Sequence, residues 1–411
     1  MTAILPAQPA QDLCLQWANE LDNSPLGHAL KKPGHGRMLG LLTCTDGTTY
    51  KAFSGLLEGA FEEPGFVPPA FEVPQMQALL DFYSPIIKAS PSPKETSQTC
   101  WNQVQKLYTF TCYDGLKRHL DAIFPTAPSG TGDCCAPRLL SYAYSQGKKP
   151  QSLCEFFYGS GNHEHLSFHT PCDFRCKMLL KHILGLDIEY YDGSILVVNK
   201  PSGLLSIEGR GPSKQDCIAS RVKALYPNCI SQPCVHRLDQ ATSGLMVLGL
   251  TQEAHDKLSH AFENREPHKT YEALVYGRVL EQEGTIDLPI RLDPNNRPHQ
   301  VVDFEKGKKA ITKYKRLSVE NHFGHKCTRL QLEPLTGRTH QLRMHCAYGL
   351  GQTGQDGTVA HAIVGDLLYG YGNCEGANPE DEPRLMLQAR KLTFNHPITG
   401  QEMNFELPAE F

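Results

Sequence analysis

The chain has 411 residues, enough for two or three domains, and its 40% apolar and 20% charged residues suit a folded protein rather than a disordered tail. No run of about 18 apolar residues occurs, so no membrane-spanning helix is expected. Forty basic against 44 acidic residues give a net charge of −4, with 25 and 28 of them in 187–411. Neither half can hold nucleic acid by bulk charge, and any groove for it has to be local. The opening MTAILPAQPAQDLC has no basic stretch leading into an apolar core and does not read as a secretory signal. The 15 cysteines are therefore expected to stay reduced, with metal binding open to some of them.

Residues 38–54 read as two strands around an Asp46-Gly47 turn. The Pro-rich stretch 64–74 reads as irregular. Helical spacing follows over 75–88, with Met76, Leu79, Leu80 and Tyr83 on one face, until Pro91 and Pro93 interrupt. Segment 112–124 reads as a helix, 125–133 as a loop, and 136–146 and 172–184 as further helices. From 188 the texture changes. IEYYDGSILVVNKPSG has the pattern of a strand, an Asp192-Gly193 turn and a buried strand ending at Lys200-Pro201. GLMVLGLT, TYEALVYGRV, AITKYKRLSVE and KCTRLQLEPL are rich in β-branched and aromatic residues, with helices expected over 214–226 and 252–264. Residues 186–411 thus read as an α+β domain with a largely antiparallel mixed sheet and flanking helices, and 1–185 as a separate α/β extension. The densest basic run, Lys306 to Arg316, reads as a solvated strand face or a phosphate contact.

At 236–245 stands HRLDQATSGL, leading into an apolar strand. An Asp in a polar loop before a strand is, taken alone, most simply a turn or cap residue. Three other segments accompany it in a fixed order: VVNKPSGLLS (197–206), KTYEALVYG (269–277) and PLTGRTHQLRMH (334–345). Together the four resemble the RluA family of RNA pseudouridine synthases, from about residue 189 to the final LPAEF. NRPHQ (296–300) and LPAEF look like the branch that modifies both tRNA and 23S rRNA.

The resemblance implies the pseudouridine synthase fold and its reaction. The glycosidic bond of a uridine in RNA is cut, the uracil turns, and C5 joins the same ribose carbon. Nothing is oxidised or lost, so no cofactor is expected for catalysis. One ionised carboxylate is needed at the sugar, and Asp239 matches it. By the same resemblance, Arg343 pairs with that carboxylate and Tyr271 stacks on the target base. The uridine has to leave its stack, and Arg237 matches the arginine that fills the vacated space. Arg338 and His340 in TGRTH are candidate phosphate contacts or turn residues, Leu385 and Leu387 are expected to line the uracil pocket, and Lys200 reads as structural. The implied partners are a tRNA anticodon stem-loop and a 23S rRNA hairpin, met in the cytoplasm by a monomer that touches no membrane. Two features depart from the pattern: an insertion, QTGQDGTVA, before HAIVGDLLYG, and Gln388 where relatives often carry His.

The first half holds nine of the cysteines. Cys134 and Cys135 in GDCCAP, with Cys172 and Cys176 one helical turn apart in HTPCDFRCK, are candidate ligands for a structural Zn²⁺. His163, His165 and His169 are further candidates, and reduced core thiols are the competing reading. The arrangement faintly resembles zinc nucleotide deaminases, but Pro137 stands where their catalytic Glu would be. Two alternatives to the isomerase thus stand beside it: a non-catalytic RNA-binding module on the same fold, and a bifunctional chain with a degenerate deaminase-like front. Intact Asp239, Tyr271 and Arg343 argue against the first, and Pro137 against a working form of the second.

Overall fold

The computed structural model describes residues 3–172, 174–322, 324–350, 361–370 and 379–411; the QTGQDGTVA insertion lies outside them. The chain divides into two compact units, Met1–Leu196 with Arg221–Cys229, and Val197–Ser220 with Ile230–Phe411.

In the first unit the Asp46-Gly47 turn joins strands Arg37–Cys44 and Thr49–Phe53. Asp46 Oδ1 accepts from Thr48 N at 3.1 Å, and Gly47 takes the left-handed conformation the turn needs (φ 84°). Pro150–Tyr158 and Phe168–His169 complete an antiparallel sheet in the order 49–53, 37–44, 150–158, 168–169. Helix Ala10–Asp22 contributes Cys14, Trp17 and Leu21 to a core with Leu39, Phe156 and Tyr158. Helix Cys135–Ser145 meets the sheet closely at Gly40, where an added Cβ would fall 2.5 Å from Cys135 Cβ.

Three expectations for this unit need correction. Within 112–124 only Leu120–Ile123 is helical. Asp114-Gly115 instead turns a short hairpin, Thr109–Thr111 with Lys117–His119, in which Asp114 accepts from Leu116 N and pairs with Arg118. Side-chain capping of the turn outweighs a modest helical pattern. The helix over 75–88 forms as Val73–Ala89, but of its expected face only Met76 is buried. Pro93 then starts a new helix, Pro93–Val104, rather than only ending the old one, since proline is tolerated in a first turn.

In the second unit the sheet order is Glu283–Asp287, Ile311–His322, His325–Pro334, His268–Tyr276, Leu387–Asn395, Ser243–Gly249, Ile195–Lys200, with Glu402–Glu406 also on Leu387–Asn395. Its registered pairings are antiparallel except that between 387–395 and 243–249. Gly244 sits at this parallel junction with φ 114°, and a Cβ there would lie 2.3 Å from Ala389 O. The glycine of TSGL is therefore a condition of strand contact. Helix Gln252–Glu263, capped by Thr251 Oγ1 on Ala254 N, packs on strand 243–249. Helix Gln341–Gly349 contributes Leu342 and Cys346 to the core. Among the described residues no helix is long and apolar enough to cross a membrane.

Candidate active site

Asp239 lies in the loop just before strand Ser243–Gly249, and the preceding motif KPSGLLS clamps that loop. Ser206 Oγ accepts from Leu238 N at 3.1 Å and donates to Leu238 O at 2.7 Å, so one buried hydroxyl holds both sides of a residue adjacent to Asp239. Ser202 Oγ donates to Ala241 O at 2.6 Å, and Gly203 N to Gln240 O at 2.8 Å. Lys200, wholly buried, donates to Pro201 O, Leu204 O and Gln240 O at 3.0, 2.7 and 3.1 Å. Burial pulls its ammonium down to about 7, against the pull of Asp239 in the other direction. His236 secures the other flank. Its Nε2 accepts from Val247 N at 3.1 Å and its ring stacks on Phe262 at 4.4 Å. Burial, then nearby Lys269, push this imidazole down to about 3, so it is neutral, as an acceptor must be.

Asp239 itself is half-buried, and among the described residues no hydrogen bond reaches its carboxylate oxygens. It faces a cleft of about 650 Å³ also lined by Arg237, Tyr271, Arg338, Arg343 and Leu387. Tyr271 enters from strand His268–Tyr276, paired with Leu332 on one side and Ala389 on the other, beside an irregularity at Thr270/Tyr271. Such a bulge re-aims side chains. Burial and the Asp239 charge push its phenol above the ordinary range, so it stays protonated. Arg237 is exposed at the rim. Arg338 also makes turn contacts, with its Nε on Lys309 O and its backbone N on Gln341 Oε1.

The structure gives Arg343 a different carboxylate from the one expected. Its Nε and Nη2 reach Asp366 Oδ2 and Oδ1 at 2.8 and 2.5 Å, and both side chains are buried. No ion pair between Arg343 and Asp239 forms among the described residues. The half-exposed Asp239 cannot match a buried, two-pronged partner that is itself fixed by Leu368 N and Tyr369 N. Burial works against the guanidinium's charge, but Asp366, then Asp239, outweigh it and raise its proton affinity. Its Nη1 makes no hydrogen bond among the described residues, while the side chain lines the cleft. Tyr369 lies 5.2 Å from the guanidinium, accepts from Gln300 N, and pairs with His340 Nδ1 at 2.7 Å.

His340 therefore supports this wall and does not line the cleft; it caps helix Gln341–Gly349 at φ 53°, a strained setting for a non-glycine residue. Leu385 packs in the core, whereas Leu387 reaches the cleft. Gln388 is buried in the sheet and donates to Pro408 O at 3.0 Å, away from the cleft lining. Sequence reading missed Asp366, Ser206 and His236 as supports. The signal for Asp366 was a lone carboxylate in the apolar run HAIVGDLLYG, because a buried charge needs a partner.

In the first unit Cys134, Cys172 and Cys176 place their sulfurs within 4.8 Å of one another. Cys135 is not with them: its sulfur turns to Met38 O at 3.4 Å, because neighbouring residues at a helix start point in different directions. The histidines stay outside the cluster, with His165 accepting from Gly159 N and His169 paired to Ser167 Oγ.

Residues 194–348 match the family described as RNA pseudouridylate synthase. The chain is 41% identical over 226 residues to the dual-specificity RNA pseudouridine synthase RluA of Pasteurella multocida, covering 55% of this chain and 94% of that one. It is 42% identical over 229 residues to RluA of Escherichia coli strain K12, covering 55% and 94%. Among solved structures, human RNA pseudouridylate synthase domain containing 1 aligns with a TM-score of 0.44 and 29% identity, over 54% of this chain and 83% of that one. The chain belongs to the RluA family of RNA pseudouridine synthases, enzymes that isomerise uridine in RNA to pseudouridine without a cofactor.

Proposed function

We propose that Asp239 is the catalytic carboxylate, acting at the ribose of a uridine flipped into the cleft. The observation that carries this is its half-buried carboxylate, unbonded among the described residues, facing the same cleft as Tyr271 and Arg343. Tyr271 stacks on the uracil, and Arg343, held by Asp366, supplies positive charge to the carboxylate and the sugar. Arg237 at the rim occupies the space the base leaves, its planar cation stacking on neighbouring bases. Residues 186–411 form the catalytic domain, and 1–185 are an added unit carrying a structural Zn²⁺ that takes no part in the isomerisation.

The substrates are a tRNA anticodon-loop uridine and a uridine in a 23S rRNA hairpin, met in the cytoplasm by a monomer. A loop uridine is already partly unstacked, so extracting it costs less than the few kcal/mol needed in a duplex. The protein's mild acidity fits a short hairpin footprint, since few phosphates need be neutralised. Incubation of the enzyme with an anticodon-arm transcript, followed by pseudouridine mapping, tests the substrate. Asp239→Asn tests the chemistry: the amide keeps the volume but cannot act as nucleophile or base. We expect turnover to fall at least about 1,000-fold with RNA binding kept; a loss below tenfold would sink the assignment.

A further inference from the structure

We propose that the metal site of the first unit is a three-thiolate centre made by Cys134, Cys172 and Cys176, whose fourth position is held by a small non-protein donor. This rests on the reading that the unit carries zinc, and it names which side chains hold the ion and which do not.

The geometry is that of one small ion. Tetrahedral bonds of about 2.3 Å put neighbouring sulfurs roughly 3.8 Å apart, and these three lie within 4.8 Å of one another. The cluster joins segments far apart in the chain, and each sulfur is placed by independent structure. Cys134 is the N-cap residue of helix Cys135–Ser145, and Cys176 is the first residue of helix Cys176–Leu184. Two helix N-termini thus meet at the cluster, and their partial positive charge favours thiolates. Cys172 is tied to the start of the second helix by its backbone, its carbonyl accepting from Lys177 N at 3.1 Å.

The loop that delivers Cys134 is rigid. Asp133 takes the Tyr108 hydroxyl at 2.5 Å, its carbonyl accepts from Gly55 N, and Gly132 (φ 100°) passes so close to Tyr108 and Phe110 that a Cβ would lie 2.9 Å from each ring. Soft sulfur donors at this spacing select Zn²⁺ over oxygen-loving cations.

The fourth position is not another cysteine or a histidine among the described residues. Cys135 faces the sheet, and His165 and His169 are engaged elsewhere. Glu155, 5% exposed, accepts from Ala136 N at 2.7 Å, which fastens it to the helix start rather than to the three sulfurs. Three protein ligands leave room for a water or another small ligand.

The test is metal analysis of the full-length protein purified without chelator, followed by Co²⁺ substitution. We expect about one zinc per chain, and a cobalt spectrum with intense tetrahedral d–d bands and sulfur-to-metal charge transfer sized for three thiolates. Those bands should shift when a small thiol is added. Zinc should be lost from Cys172→Ser and retained by Cys135→Ser. Protein without zinc, with three free thiols or with a disulfide among them, overturns both the site and the zinc reading. Iron with inorganic sulfide does the same. Zinc that is lost from Cys135→Ser, or a cobalt spectrum that no added ligand moves, overturns this ligand set while zinc in the first unit stands. The wild-type measurements need no variant to fold.

Discussion

Two buried basic side chains serve the Asp239 region, Arg343 in the cleft wall and Lys200 bonded to the loop, and they are partnered in opposite ways. Arg343 is locked to Asp366 by a two-pronged ion pair, carboxylate against guanidinium. Among the described residues Lys200 meets three carbonyl oxygens, those of Pro201 and Leu204 on its own segment and that of Gln240 beside Asp239. The difference separates two tasks. Arg343 lines the cleft, is paired through Nε and Nη2, and has no hydrogen bond at Nη1 among the described residues, which suits the proposed task of presenting charge there. Lys200 has to gather backbone, and three donors on one nitrogen gather three carbonyls.

Removing a partner should therefore cost more on the Arg343 side. Asp366→Ala leaves a guanidinium buried and unpaired, which costs about 3–5 kcal/mol of stability. Its pseudouridine formation should fall at least 100-fold, with Asp366→Asn in between. Denaturant titration and single-turnover assays measure both, and a variant within twofold of wild type in turnover would break the contrast. Lys200→Met should cost about 1–3 kcal/mol, because three part-buried carbonyls lose their donor. The loss should appear in kcat more than in KM, since the lysine bonds to the loop that carries Asp239 and is not part of the cleft lining.

A third test uses acid. His236 is pushed down to about 3 in the folded protein and is free to titrate near its ordinary value of about 6.5 when unfolded. Between those values the unfolded chain binds a proton the folded one refuses, so the histidine's contribution is whole above about 6.5 and shrinks as pH falls toward 3. A His236→Gln variant should show a flatter acid limb in its stability profile, and an unchanged limb would mean another group titrates there. The smallest expected effect is on affinity at Arg237. Arg237→Ala should weaken binding of an anticodon-arm hairpin only about twofold to threefold yet slow the chemical step about tenfold, because stacking in the vacated space matters only once the base has left. Equal losses in both would make it an ordinary phosphate contact.

Four short motifs in a fixed order singled out Arg237, Asp239, Tyr271 and Arg343, and the fold brings all four to one cleft. What the sequence hid was partnership across distance. Nothing in HQLR says that Arg343 turns to an aspartate 23 residues on, and nothing in KPSGLLS says that its hydroxyls and ammonium bind the HRLD loop. Adjacent Cys134 and Cys135 look equivalent on paper, but the helix start turns them apart and Cys135 packs on the sheet where Gly40 leaves room for it. The misread segment 112–124 failed locally, since Asp114-Gly115 is a turn signal inside an otherwise helical pattern.

The pair of hydrogen bonds between Ser206 and Leu238 has a kinetic meaning as well. A residue whose N–H and C=O are tied to one buried hydroxyl cannot swing either peptide plane without breaking both contacts. Amide hydrogen at Leu238 should therefore exchange with solvent as slowly as those of the strand that follows, although it belongs to a loop. A loop that opens as rarely as a core strand does not reshape itself around a ligand. On the role proposed for Asp239, the nucleic acid has to bring the uridine to a carboxylate already in place, and the cost of deformation falls on the substrate.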